Sequence, residues 1–308
     1  MAYKGFSKAN MIDTDYLDQL RDGLVPKLVT EGITTSIVEV IPGIKNAMSL
    51  NLVSNNITVQ DAACGFNPAG DVALGQRELK VYPKAVNDAL CPKDLEQIYL
   101  GMYMKNNKEI PFTEIFAETY INKVNAWNEN FIWGGDGTVD GFVKIIADEA
   151  SVVNRASQVN SASGYIKKLE ALMAGAPTEV LTSDEGVVFC TFEFYNGYMN
   201  ELRAANLYNL ANTEYKNGGW VTTIPGTNVR LVATAGLTND TNDTVATGAL
   251  LVYTTASNLV VGTDMLNDEE MFDMWYSRDN DEYRVNIQWK IGMQVRFPEF
   301  VVKGYTLS

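Results

Sequence analysis

Residues 127–141 read WNENFIWGGDGTVDG, an aromatic-rich helical pattern running straight into glycines and two aspartates. A phosphate-binding loop needs its glycines after a strand and ahead of a helix, so that backbone N–H groups face the anion. Here the glycines follow the helical pattern, and no Gly-Lys-Ser/Thr comes after them. The stretch DGTVDG also echoes the middle of a calcium loop. Aligning Gly137 with that loop's turn glycine puts Ile132 and Gly134 where carboxylates belong, and Val143 where the bidentate glutamate should stand. What remains is a helix terminus. Gly134 or Gly135 takes the left-handed cap, and the aspartates, with Gly137 and Gly141, shape the turn that follows.

The pattern upstream supports this. Pro111 opens a helix over about residues 111–133, in which Phe112, Phe116, Tyr120 and Val124 recur four apart while Ile115, Trp127 and Phe131 fill the same broad stripe. Six turns make it about 30 Å long. A shorter helix is expected after Pro92, with Leu95, Ile98, Tyr99 and Met102 on one face. Further helices are expected in SGYIKKLEALMAG (163–175) and FYNGYMNELRAAN (194–206), the latter after the short strand VVFCTF. Residues 33–52, ITTSIVEVIPGIKNAMSLNL, read as strand-rich. Beyond a Gly/Asn/Asp/Ala-rich segment comes RELKVYPKAV, with Leu79, Val81 and Pro83 suggesting an edge strand. These two strands make a long hairpin too poor in large apolar residues to build its own core, so it needs something to lie on. Arg77, Lys80 and Lys84 give it a basic side, interrupted by Glu78, and are the candidate inter-subunit contacts. After residue 219 β character dominates. The C-terminal run alternates strictly, Val285, Ile287, Trp289, Ile291, Met293, Val295 and Phe297 sharing one face, about 43 Å of strand at 3.3 Å per residue. The class is α+β, with helices and strands segregated.

Composition excludes a good deal. The chain has 308 residues, and 46% of them are apolar, enough for a substantial core. With no histidine, Ser-His-Asp and Cys-His catalysis and imidazole zinc sites are out. Acidic residues outnumber basic ones 38 to 24, a formal charge of −14, which argues against tight wrapping of nucleic acid. Cys64, Cys91 and Cys190 lack CxxC spacing and read as reduced thiols. The first twenty residues lack an apolar signal core, and GALLVYTTASNLVVGT is too short and too polar to span a bilayer, so no membrane role is expected. The carboxylate run NDEEMFD (267–273) reads as a solvated helix start rather than a metal site, and Tyr195 and Tyr198 as residues packed along a helix. No cofactor is expected.

The order of parts resembles the major capsid protein of tailed bacteriophages, a fold shared with encapsulins and the floor of herpesvirus shells. Four segments carry the likeness: RELKVYPKAVNDALCPKDLEQ as the returning limb of the extended loop; FAETYINKVNAWNENFIWGGDGTVDGFVKI as the spine helix and its turn; VVFCTFEFYNGYMNELRAAN with IPGTNVRLVATAG as the axial strand-helix unit; and FDMWYSRDNDEYRVNIQWKIGMQVRFPEFVVKG as the closing hairpin. The resemblance implies an N-terminal arm (1–32), a strand-rich segment with an extended loop (33–91, tip about 53–83), and a peripheral domain with the spine helix (92–150). It further implies an axial domain (151–264) and a closing peripheral segment (265–308). It implies a non-enzymatic subunit, made in a host cytoplasm, that assembles through pentamers and hexamers into an icosahedral virion shell around double-stranded DNA. Portal and scaffold or decoration proteins would be partners, and DNA a neighbour rather than a sequence-specific ligand. The arm starts at once, so a scaffold is expected as a separate protein or not at all, and no Lys–Asn cross-link is assigned. An encapsulin-type compartment is the alternative within the fold. A carboxylate-dependent hydrolase is the alternative outside it, and would need two carboxylates in one cleft.

Overall fold

The computed structural model describes residues 32–56, 59, 61, 71–90, 112–207, 212–238, 249–264, 272–280 and 282–306. The expected helix after Pro92, Cys64, Cys91 and most of the carboxylate run at 267–273 lie outside them. Phe272 and Asp273 of that run are in strand, not at a helix start.

Two sheets organise the chain. The first is centred on β13 (Glu282–Val295), flanked on one side by β4 (Tyr82–Leu90) and on the other by β12 (Phe272–Ser277) and β11 (Leu259–Thr263), with the short β1 (Glu39–Ile41) parallel to β11. Strict alternation builds β13: Val285, Ile287, Trp289, Ile291, Met293 and Val295 are all buried. The strand ends at Val295, so Phe297 does not continue its face and is only half-buried. The cause is local. The side-chain amide of Asn258 donates to the Phe297 carbonyl (2.9 Å) and accepts from its N–H (2.7 Å), taking the place of a neighbouring strand.

The second sheet has seven strands, in the order β5 (Val153–Asn154), β14 (Val302–Thr306), β10 (Ala249–Thr255), β6 (Gly186–Cys190), β9 (Arg230–Ala233), β8 (Gly219–Thr223) and β7 (Thr213–Lys216). All five residues of β6 are buried, as a central strand covered on both faces must be. Val187 and Phe189 face the core shared with the first sheet. Val188 and Cys190 face a second core. Helices α4 (Tyr165–Met173) and α6 (Phe192–Ala204) cover that second core, with α3 (Ala156–Ser161) and α5 (Thr178–Leu181) beside them. Thr191 caps α6 by accepting from the Phe194 N–H. The Cys190 thiol is free and buried, and burial pushes its pKa up.

The long helix α1 (Phe112–Gly134) and the short α2 (Phe142–Asp148) fill the space between the sheets. The inward face of α1 differs from the expected stripe. Ile121, Val124, Phe131, Ile132 and Trp133 are buried, whereas Trp127 is 40% exposed. Asn128 and Glu129 are buried with the apolar set. Their polar groups are matched: Asn128 accepts from the Trp289 indole (3.0 Å), and Glu129 from the N–H (3.2 Å) and hydroxyl of Thr34. That pairing also overturns the expectation of strand over residues 33–38. Thr34 is held at Glu129 and Trp133, and the chain around it winds into turns, with the N–H of Ser36 bonded to the Gly32 carbonyl and those of Ile37 and Val38 to the Thr34 carbonyl. The hairpin of β2 (Ala47–Asn56) and β3 (Asp71–Lys80) pairs over ten residues in regular antiparallel register and belongs to neither sheet.

Candidate functional site: the helix joint and the hairpin seat

At the end of α1 the N–H of Gly135 bonds to the Phe131 carbonyl (2.8 Å), and Gly135 turns to φ +75°. The Asp136 carboxylate accepts from the N–H groups of Thr138 (3.0 Å) and Val139 (2.9 Å), closing a tight turn in which Gly137 has φ +81°. Gly135 pairs with Asp140 as an isolated bridge. Gly141, with ordinary negative φ, then caps α2. It is glycine because a Cβ there would strike the Trp133 carbonyl and the Gly135 nitrogen. Gly134 is the last helical residue. The stretch is thus a joint between two helices; the Asp136 carboxylate closes its turn, and that of Asp140 pairs with Lys144 (3.3 Å).

The three basic residues singled out in the sequence each have a partner within the chain. Lys84, on β4, pairs with Asp136 and lies 4.8 Å from the centroid of the Phe131 ring. Arg77, on β3, bonds Glu149 just beyond α2 (2.8 Å). Lys80 pairs with its neighbour Glu78 (3.1 Å) and remains exposed. The hydrogen bond from Lys84 holds the Asp136 carboxyl below its usual range. The joint and the returning limb of the hairpin are therefore one structure.

How the hairpin is seated was not legible from the sequence. Gly262 of β11 and Gly292 of β13 are register partners, and together they leave a notch on the sheet. A Cβ at Gly292 would meet the Lys80 carbonyl, and one at Gly262 would meet Ile44, Leu79 and Val81. Those three side chains, with Leu50 and Val260, form a small separate core. Around it, Asp264 receives Lys290 (2.6 Å) and Lys45 (3.3 Å), and the Gln294 amide donates to the Glu78 carbonyl (3.0 Å). Burial opposes ionisation of Asp264, but the two lysines outweigh it and its pKa is lowered. Isolated glycines inside apolar strands, as in LVVGT and KIGMQV, were the available signal. Beyond this seat Leu74, on β3, is 79% exposed.

No protein-family model and no curated protein matches the sequence. Solved structures do. The subunit in the capsid of an empty GTA particle superposes with a TM-score of 0.61 at 9% identity, covering 90% of each chain. The satellite phage P4 procapsid gives 0.58 at 8% identity, over 93% of this chain and 99% of that one. A virus-like particle from Pyrococcus furiosus gives 0.53 at 9% identity, over 96% and 100%. At such identities the likeness establishes the fold, and the fold is the α+β architecture of tailed-phage capsid subunits.

Proposed function

We propose that this chain is a major capsid subunit, which assembles through pentamers and hexamers into an icosahedral virion shell around double-stranded DNA. One observation carries the reading beyond the fold: a ten-pair hairpin that belongs to neither sheet is seated at its root and carries an exposed Leu74 beyond that seat. Such a ladder is marginal alone and is stabilised by lying on another surface, which in a repeating shell is the next copy. In this reading residues 92–150 and 265–308 form the peripheral domain, residues 151–264 the axial domain, residues 33–91 the strand-rich segment with the extended loop, and residues 1–32 the arm. The subunit is structural rather than catalytic, is made in the host cytoplasm, and would meet portal and scaffold or decoration proteins during assembly. Among the described residues no helix is long and apolar enough to cross a membrane.

The test is a truncated hairpin. Leu79 and Val81 belong to the buried seat, so the cut must spare them. Val53 and Leu74 are register partners, and residues 54–73 can be replaced by Asn-Gly, which closes a two-residue turn. The variant is expected to fold with unchanged far-UV circular dichroism but to give no closed shells by negative-stain microscopy. Normal particles from it would remove the role given to the hairpin. The likeness to the Pyrococcus furiosus particle favours a second reading, a compartment shell of the same fold, and the contents of purified particles, nucleic acid or protein, separate the two.

A further inference from the structure

The dipeptide Asn-Gly occurs twice in the chain, at residues 196–197 and at residues 217–218. The fold treats the two copies in opposite ways. Asn196 and Gly197 lie inside α6, where each backbone N–H is tied to the carbonyl four residues back. Gly197 is also packed against α4, since a Cβ there would strike the Tyr165 ring. Asn217 and Gly218 instead form the two-residue turn between β7 and β8. The ladder closes on Lys216 and Gly219, which leaves both turn residues outside it. Their φ angles are +47° and +81°, the left-handed pair that the right-handed twist of a hairpin demands of so short a turn. Both are exposed, as are Glu214, Tyr215 and Lys216 on the strand before them. Among the described residues β7 stands at the end of the seven-strand order and is only four residues long. The turn therefore belongs to the part of a fold that opens with little free energy.

We propose that Asn217 is a site of spontaneous deamidation, in which the chain modifies itself and water is the only co-reactant. The backbone nitrogen of Gly218 attacks Cγ of Asn217, and the new N–C bond closes a five-membered imide. The amide proton of Gly218 and the side-chain amino group leave together as ammonia. Water then opens the ring at one of its two carbonyls. Breaking the bond to Cγ gives aspartate with the main chain restored. Breaking the bond to the main-chain carbonyl carbon gives isoaspartate, whose main chain runs through Cβ and Cγ. Glycine puts no Cβ in the way of the attack. In α6 the same ring closure would first have to break helical hydrogen bonds and lift Gly197 off Tyr165. Both products add a negative charge to a chain whose formal charge is already −14. Aspartate tolerates the left-handed conformation much as asparagine does, so the turn survives that outcome. Isoaspartate lengthens the main chain by one atom, which a two-residue turn does not accommodate. The next register pair, Tyr215 and Trp220, then loses its alignment, and β7 loosens from β8 as the subunit ages. The inference concerns the unassembled chain and does not rest on the shell reading.

The test compares the two Asn-Gly sites in one full-length chain. The protein is incubated in mildly alkaline buffer, once native and once unfolded in guanidinium chloride, then digested in acid and read by peptide mass spectrometry. Unfolded, both sites should lose their side-chain amide at similar rates, because the reacting dipeptide is the same. In the native chain Asn217 should react about tenfold or more faster than Asn196, the gap being the extra free energy needed to open α6. Isoaspartate should accompany aspartate at residue 217. Native Asn217 protected as strongly as Asn196 would overturn the proposal. Gly218→Ala should slow the reaction severalfold in both the native and the unfolded chain. A rate unchanged by that substitution, or aspartate without isoaspartate, would mean direct hydrolysis by water and would overturn the backbone attack.

Discussion

A methyl group at Gly292 would be driven into the Lys80 carbonyl, whereas one at Gly137 would meet nothing within 4 Å and suffer only from a φ of +81°. The two positions separate two reasons for glycine, closeness of backbones and handedness of the turn. Gly135 combines them, with φ +75° and the Val139 carbonyl in the way. Alanine at Gly292 is therefore expected to cost about 1–3 kcal/mol by overpacking, and alanine at Gly137 about 1 kcal/mol for the left-handed conformation. Gly135→Ala should exceed Gly137→Ala. Urea midpoints order the three, and hydrogen exchange should show the Gly292→Ala loss concentrated at the root of the hairpin. Equal costs at Gly135 and Gly137 would show that the Val139 carbonyl yields freely. Asn258 makes a different kind of single-residue contribution. Only 3% exposed, its amide serves both polar groups of Phe297 and also reaches the Thr254 hydroxyl (3.0 Å). Asn258→Ala strands two backbone groups at once and should cost about 2 kcal/mol or more. A change below about 0.5 kcal/mol in thermal or urea unfolding would mean that water replaces the amide.

At the scale of elements, β4 and the α1–α2 joint are fastened by Lys84 and Asp136, and the consequence is a specific dependence on pH. The folded Asp136 pKa lies below its unfolded value. The pair thus contributes stability that is fully present above the ordinary carboxylate pKa of about 3.9 and is lost as pH falls through the folded value. Lys84→Met should lower the unfolding midpoint at neutral pH, and its deficit should shrink below about pH 4. A deficit constant down to pH 2 would assign the whole effect to lost packing on Phe131. This joint also shows what sequence alone can deliver. Helix, left-handed glycine and turn were all legible in WNENFIWGGDGTVDG, because each depends on residues near in sequence. The alternation of β13 was legible for the same reason. The turns at 33–38 were not, since β-branched residues there favour strand locally and Glu129 and Trp133, 95 and 99 positions away, hold Thr34 otherwise. The Gly262–Gly292 notch was equally hidden, because each glycine is explained by chain that arrives from residues 44–81. The basic side of the hairpin was visible as composition, but the partners Glu149 and Asp136 lie 72 and 52 positions away.

For the whole molecule, the two sheets are joined twice at one place. The chain passes from β10 to β11 through a short 3-10 turn at Ala256–Asn258, and from β13 to β14 through another at Pro298–Phe300. Asn258 ties one passage to the other, and Lys303, buried on β14, donates to the Ile146 and Ala147 carbonyls at the end of α2 (2.9 Å each). The body is therefore braced, whereas the hairpin belongs to neither sheet and leaves Leu74 exposed beyond its seat. Each body also carries a formal charge of −14. Copies brought edge to edge repel one another, and that repulsion opposes the apolar contact the exposed hairpin residues can make. Its range is set by salt, about 30 Å at 0.01 M and about 8 Å at 0.15 M ionic strength. At the lower value the field of one subunit spans its neighbour; at the higher it is confined to the contact. Assembly followed by light scattering should therefore accelerate and shift to lower protein concentration as sodium chloride rises from 0.01 to 0.15 M, approximate values chosen to match those two screening lengths. The gain should flatten beyond that, because the interactions left are apolar or at contact distance. Assembly that slows over the same range would show that subunits meet through complementary charged faces, and would move the attraction from the apolar hairpin to ion pairs across the contact.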